Sequence, residues 1–374
     1  MDTDTSAQPD SYLLKVRTLI KKRRKLFFAL GVLTACSILL PIIAYLLFVP
    51  HQVLAFHMEM PDPEFPGGFW KLTLDLKRKT ERFEGHFFGV MFRYLLVGNQ
   101  VHQIGPDICS SLTATQQDVI DFSSVLTFNR HLYTRGEVRK VTAGKCRYYY
   151  NDEDGLCMSK GFILQKCDRS KEDGKIVEEC YDMINHRKLK KNDELLDVSK
   201  ACPRMQKGLY ETKIRNENSE KWEVEVVDRM SQTFFKQREE PQYFFNSLVK
   251  NGYLYTRKEP TGYRTCDLDR SKGFSIENDF DNFFIDGRSE KKEYDADLDC
   301  DVYLKPGSDY LVESSSCIDK NGYVKKFVLK GNRAGTWFYK DHKEVEKNDE
   351  RFDVAYTCDM PTASKTVPKL FKRL

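Results

Sequence analysis

The stretch Lys191-Asn192-Asp193-Glu194-Leu195-Leu196-Asp197-Val198 returns downstream as Lys347-Asn348-Asp349-Glu350-Arg351-Phe352-Asp353-Val354. Laid on each other without gaps, Tyr181–Cys202 and Trp337–Cys358 are identical at eight of 22 positions, among them His186 with His342 and Cys202 with Cys358. Self-similarity over blocks in the same order marks a repeated structural unit. Upstream, Leu132-Tyr133-Thr134-Arg135 is matched by Leu254-Tyr255-Thr256-Arg257, each followed by a cysteine, Cys146 and Cys266. On this alignment Cys157 and Cys167 fall against Cys300 and Cys317, and Gly68-Phe69-Trp70-Lys71 against Gly208-Leu209-Tyr210-Glu211. The expected organisation is two tandem homologous β domains, 68–202 and 208–358, joined by 203–207.

Within both units the pattern reads as strand. Trp70–Leu76 and Trp222–Val226 alternate apolar and polar residues with period two, as do parts of Tyr243–Leu248. Hairpins are expected over Leu254–Cys266, at Asn321-Gly322 inside Cys317–Val324, and at Asp173-Gly174 inside Cys167–Val177, the last two taken as counterparts. Helix is suggested only around Ala114–Leu126. The fold class is therefore mainly β, with local antiparallel connections.

Eleven cysteines are present, and ten of them follow residue 100: Cys109, Cys146, Cys157, Cys167, Cys180, Cys202, Cys266, Cys300, Cys317 and Cys358. An even number reads as a disulfide framework, and the absence of any Cys-x-x-Cys pair argues against zinc. Six cysteines fall in the first unit and four in the second. The four matched positions are expected to make two bridges per unit, their pairing left open, with Cys109 and Cys180 remaining for each other.

The remaining cysteine, Cys36, lies in Leu26–Val49, 24 residues without a charge. As a helix this segment is about 36 Å long, enough to cross a hydrocarbon core of about 30 Å. Lys15, Arg17, Lys21, Lys22, Arg23, Arg24 and Lys25 precede it, and no Lys or Arg follows until Lys71. That asymmetry predicts a cytosolic tail (1–25), a signal-anchor helix in the lipid bilayer (26–49), and an ectodomain outside the cell or in the secretory lumen. A secreted form cleaved near Ala55 is the alternative, though a secretory apolar region is usually about 7–15 residues. Four prolines and a Gly-Gly pair over 50–68 suggest a stalk (50–67), and 359–374 a basic tail. No Asn-x-Ser/Thr acceptor occurs beyond the anchor.

The net charge of +4 is carried by residues 1–49, leaving 53 basic and 53 acidic residues in balance beyond them. A neutral ectodomain does not suit a nucleic-acid binder. Hydrolase, zinc-protease, phosphate-loop and EF-hand motifs are absent. His186 and His342, at matched positions, read as polar residues kept by descent rather than metal ligands. Asp193, Glu194 and Asp197, with Asp349, Glu350 and Asp353, read as turn residues, ahead of calcium ligands or an acid–base pair.

The expectation is a single-pass membrane protein, at the plasma membrane or in the secretory pathway. Its ectodomain is a non-enzymatic binding module for an extracellular protein, glycan or lipid, with no cofactor. The alternative is a carrier in which each sheet encloses an apolar cavity lined by strands such as Phe87–Phe92 and Phe234-Phe235. A membrane enzyme would need an alternating strand–helix pattern that the chain lacks.

Overall fold

A computed structural model describes residues 51–62, 65–87, 89–114, 122–240, 243–251, 253–259, 266–269, 282–307, 312–331 and 334–358. The first half carries β1 (Ala55–Pro61), β2 (Phe69–Asp75), β3 (Thr80–Phe87), β4 (Val90–Val97), β5 (Gln100–Ile104) and β6 (Cys109–Thr113). After the short helix α1 (Phe122–Val125) come β7 (Arg135–Val141), β8 (Gly144–Tyr150), β9 (Asp154–Ser159), β10 (Phe162–Glu172), β11 (Lys175–Asp182) and β12 (Ile184–Lys188). A 3-10 turn, Glu194–Leu196, and α2 (Val198–Ala201) end this half. The second half has β13 (Leu209–Asn216), β14 (Glu223–Asp228), β15 (Thr233–Glu240), β16 (Tyr243–Lys250), β17 (Tyr253–Glu259) and β18 (Cys266–Asp269). It continues with β19 (Glu290–Asp295), β20 (Cys300–Lys305), β21 (Ser314–Ile318), β22 (Val324–Leu329) and β23 (Gly335–Lys343), then a 3-10 turn, Glu350–Phe352, and α3 (Val354–Cys358).

The second half is one 11-stranded sheet in the order β18-β17-β16-β15-β14-β13-β23-β22-β21-β20-β19. In the first half the same order is split into a seven-stranded sheet, β12-β1-β2-β3-β4-β5-β6, and a five-stranded one, β11-β10-β9-β8-β7. The split falls where β11 runs into β12 through Met183, whose N–H donates to the Leu164 carbonyl at 2.8 Å. The β11–β12 run thus occupies the place of β23, which pairs with β13 at one end and β22 at the other. All strand pairs are antiparallel, as the alternating, turn-rich segments require.

This order corrects several alignments. The counterpart of β13 is β1, so Gly208–Glu211 corresponds to the start of β1 and not to Gly68–Lys71. Ala55–Pro61, expected in the stalk, is a strand paired on both sides, with Phe56, Met58 and Met60 buried. Leu254–Arg257 lies in β17, whereas Leu132–Thr134 lies between α1 and β7 and Arg135 opens β7; their likeness is local only. The β10–β11 hairpin turns at Asp173-Gly174, both at positive φ, but its counterpart is β22–β23. The hairpin at Gly322 corresponds instead to β9–β10.

Disulfides follow the corrected register. Cys146–Cys157 joins β8 to β9, and Cys300–Cys317 joins the equivalent β20 to β21. Cys167–Cys180 staples β10 to β11, and Cys109–Cys202 ties β6 to the end of α2. The expected Cys109–Cys180 bridge is therefore wrong: strand neighbours pair, and the odd pair out is Cys167 with Cys180. Cys358 is also disulfide-bonded.

From Val53 onward the chain forms one compact unit. Residues 203–207, expected as a plain linker, are hydrogen-bonded to both halves. Cys109 N–H donates to the Arg204 carbonyl, Gln206 N–H to the Cys109 carbonyl, and Lys207 N–H to the Gly322 carbonyl. No helix among the described residues is long and apolar enough to cross a membrane. The expected anchor, Leu26–Val49, and the tails 1–25 and 359–374 lie outside the described residues.

Two outcomes check the framework. Non-reducing peptide mapping is expected to join Cys266 to Cys358, because β18 and α3 repeat the places of β6 and α2; a free Cys266 would contradict this. Chain entropy assigns about 4–5 kcal/mol to the bridge with a sequence separation of 93 and about 3 kcal/mol to the one with 11. Removing Cys109–Cys202 with paired serines should therefore lower the melting temperature more than removing Cys146–Cys157.

Candidate ligand crevice

In the first half the main core is built from both sheets: Phe56, Met58, Trp70, Leu72 and Phe83 from one, Leu156, Met158 and Ile163 from the other. α1 closes this core. Phe122 stacks on Phe83 at 5.2 Å and meets the edge of Trp70 at 6.2 Å. The helix is pinned by Glu81, which is fully buried: one oxygen accepts from Tyr94 Oη at 2.7 Å and the other from the Ser123 N–H at 3.2 Å. Gly85 is required beside it, since a Cβ there would lie 2.6 Å from the Trp70 ring.

Between α1 and the sheets lies a crevice of about 210 Å³. Met60, Trp70, Leu72, Phe122, Val125, Leu126 and Met183 supply its apolar wall, and Lys166, Asp168 and Tyr181 its polar edge. Lys166 is held by Asp168 and by Asp154 at 3.6 Å. Sequence periodicity identified Trp70 and Leu72 as inward-facing, but nothing marked Met60, assigned to the stalk, as a lining residue.

In the second half the segment that precedes β19, in the chain position of α1, packs inward among the described residues. Phe283, Phe284 and Ile285 are all buried, and the segment Asn282–Ser289 is anchored at almost every residue. Gln206 donates to the Phe283 carbonyl and accepts the Ile285 N–H at 2.9 Å. Ser110 Oγ donates to the Ile285 carbonyl at 2.6 Å, and Arg93 to the Gly287 carbonyl at 3.0 Å. The Arg229 guanidinium lies 3.9 Å above the Phe284 ring. Asp286 accepts from Arg288 and from the buried Lys305. Burial opposes its ionisation, but these two cations hold its pKa down at about 2. Phe235, expected to line a cavity, is fully buried among Val226, Leu248 and Phe352.

The paired histidines stand at matched places in the two halves. His186 donates from Nε2 to the Ile163 carbonyl at 2.6 Å and packs on Phe162. His342 stacks on Tyr323 at 4.7 Å, beside Val324, the same place on the equivalent strand. The two acidic blocks are helix caps. Asp193 accepts from the Leu195 N–H and Asp349 from the Arg351 N–H; Asp197 and Asp353 repeat the motif on Ser199 and Ala355. Asp193 is further paired with Arg187, and Asp349 with Arg351, which leaves a poor calcium cage. Among the described residues the one cluster with metal-ligand spacing is Cys167, Glu178 and Cys180. The cysteines there are spent in a disulfide and Glu178 on Arg139, Arg169 and Tyr148, so it offers no metal site.

Two titratable groups with displaced pKa values, the buried Glu225 and the half-buried His342, were not legible in the sequence. Burial raises the Glu225 carboxyl to about 7, with Lys236 opposing and Glu223 adding to the shift. Burial lowers the His342 imidazole to about 4, with Lys325 contributing. No protein-family model matches the chain, and no curated protein matches it in sequence.

The two groups act on stability with opposite signs. Glu225 binds its proton more tightly folded than unfolded, so its contribution is full at acid pH and lost as pH rises from about 4.5 through 7. Glu225→Gln is expected to raise stability at pH 8 by about 1–3 kcal/mol, with little gain at pH 5. His342 binds its proton less tightly folded, so its contribution is lost as pH falls from about 6.5 through 4. His342→Phe should blunt that acid loss. Melting curves at pH 5, 6.5 and 8 separate the two.

Proposed function

We propose that this chain is a membrane-anchored, non-enzymatic binding protein whose duplicated β unit presents its surface outside the cell or in the secretory lumen. The observation that carries this reading is Asn282–Ser289, whose Phe283, Phe284 and Ile285 pack into the second-half core while Ser110 and Arg93 bond it to the first half. A body braced in this way offers ligands its outer strands and edges. The disulfides support an oxidising location, and the anchor and its orientation follow from the charge pattern around Leu26–Val49.

A second reading is favoured by one feature, the first-half crevice. Its volume of about 210 Å³ exceeds an engineered cavity of about 150 Å³ that binds benzene, but lies below the roughly 300–1,000 Å³ of common ligand pockets. It suits one ring or a short alkyl chain and not a whole lipid.

Amine labelling of intact cells with an impermeant reagent is expected to modify lysines from Lys71 onward and to spare Lys15–Lys25; the reverse pattern would refute the topology. For the crevice, 6-bromohexan-1-ol should quench Trp70 fluorescence in a Trp222→Phe/Trp337→Phe chain, and Val125→Trp or Leu126→Trp should occlude the site. If extracellular-protein or glycan binding by the full chain survives Leu126→Trp, the surface reading stands; if it disappears while the chain stays folded, the crevice is the site.

A further inference from the structure

The two halves end on equivalent edge strands, β7 and β19. Among the described residues β7 pairs only with β8, and β19 only with β20. An unpaired strand edge is a template for another chain, and charge on it normally blocks that pairing. Here the charges have opposite signs. The β7–β8 hairpin, Arg135 to Tyr150, holds five cations (Arg135, Arg139, Lys140, Lys145, Arg147) against Glu137, a net of +4. The β19–β20 hairpin, Glu290 to Lys305, holds Glu290, Glu293 and four aspartates (Asp295, Asp297, Asp299, Asp301) against Lys291, Lys292 and Lys305, a net of −3.

On the basic hairpin, the ion pairs among the described residues draw in only Arg139, with Glu137 at 3.1 Å and Glu178 at 2.9 Å. On the acidic one, Asp301 is held by Lys291 at 3.0 Å and by Arg204 at 2.8 Å, Lys291 also pairs with Asp107 at 2.8 Å, and Lys292 holds Glu290. Glu293, Asp295, Asp297 and Asp299 enter no ion pair among the described residues. Each edge strand also exposes one large apolar side chain, Val138 at 66% and Tyr294 at 58%.

We propose that β7 of one copy and β19 of a second copy pair edge to edge. Two β7 edges repel each other, as do two β19 edges, while the unlike edges attract, which selects the head-to-tail arrangement over either symmetric one. A contact between two different surfaces of one chain leaves a free edge at each end of the dimer, so association continues into open chains unless the rotation closes a ring. Val138 and Tyr294 meet within the new ladder and are covered by it.

The test uses the full chain in a nonionic detergent. Sedimentation is expected to show mass increasing with concentration at low salt and returning to monomer near 1 M salt, where screening reaches about 3 Å. A short bismaleimide should link Val138→Cys chains to Tyr294→Cys chains in a mixture, with neither pool linking to itself. Lys140→Glu/Lys145→Glu should weaken association at least tenfold, and mixing that chain with Asp297→Lys/Asp299→Lys should restore it. A monomer at every concentration, with the native disulfides intact, would overturn the proposal and return the charges to blocking edges. So would self-linking of Val138→Cys alone, or binding of the basic hairpin to phosphatidylserine vesicles without self-association.

Discussion

Each half depends on its last strand hydrogen-bonding back onto its first. β12 pairs with β1, and β23 with β13, so a chain that otherwise zigzags between sequence neighbours is closed by one long-range ladder. Loop closure of that length is entropically costly and must be offset by burial on both faces. Phe56 and Met58 of β1, and Tyr210 and Ile214 of β13, supply it. The bridges reinforce the same economy of local contacts: Cys146–Cys157, Cys167–Cys180 and Cys300–Cys317 staple neighbouring strands, and Cys109–Cys202 carries the long constraint.

Matched architecture has been put to unlike uses in the two halves. The first half has a crevice under α1; in the second, the segment before β19 packs Phe283, Phe284 and Ile285 into the core and then runs on through Gly287 into contact with β4. A Cβ at Gly287 would lie 2.6 Å from the Arg93 nitrogen, so that approach requires glycine. The equivalent edge hairpins have diverged in charge to opposite signs. Divergence at interior plug and outer edge, with the sheet order kept, is what a scaffold permits when its ladder is backbone-made and its side chains are free to change.

Much of the architecture was legible from local pattern. Period-two alternation placed β2, β14 and β16, and Asn321-Gly322 and Asp173-Gly174 placed their turns, because these signals depend on neighbouring residues alone. Asp193 and Asp349 read as turn residues for the same reason, and each caps the 3-10 turn that follows it. The equivalences between halves were not. The Leu-Tyr-Thr-Arg match misled because four residues can coincide in a strand and in a non-equivalent connection. The stalk reading failed at Ala55–Pro61 because Pro61 sits at the end of a strand, where its missing N–H costs nothing. Cysteine pairing depends on which strands are neighbours, and spacing does not encode that.

The sequence by itself determined a mainly β chain with a repeated block, a disulfide-rich body and a charge-flanked apolar segment, since composition, period and charge order are local properties. Only the tertiary structure decided which cysteines pair, that residues 203–207 and Asn282–Ser289 bind the halves together, that Glu225 is buried and His342 half-buried, and that two oppositely charged hairpins occupy equivalent edges. Each of these depends on residues distant in the chain meeting in space, and the free energy that brings them together belongs to the packed whole.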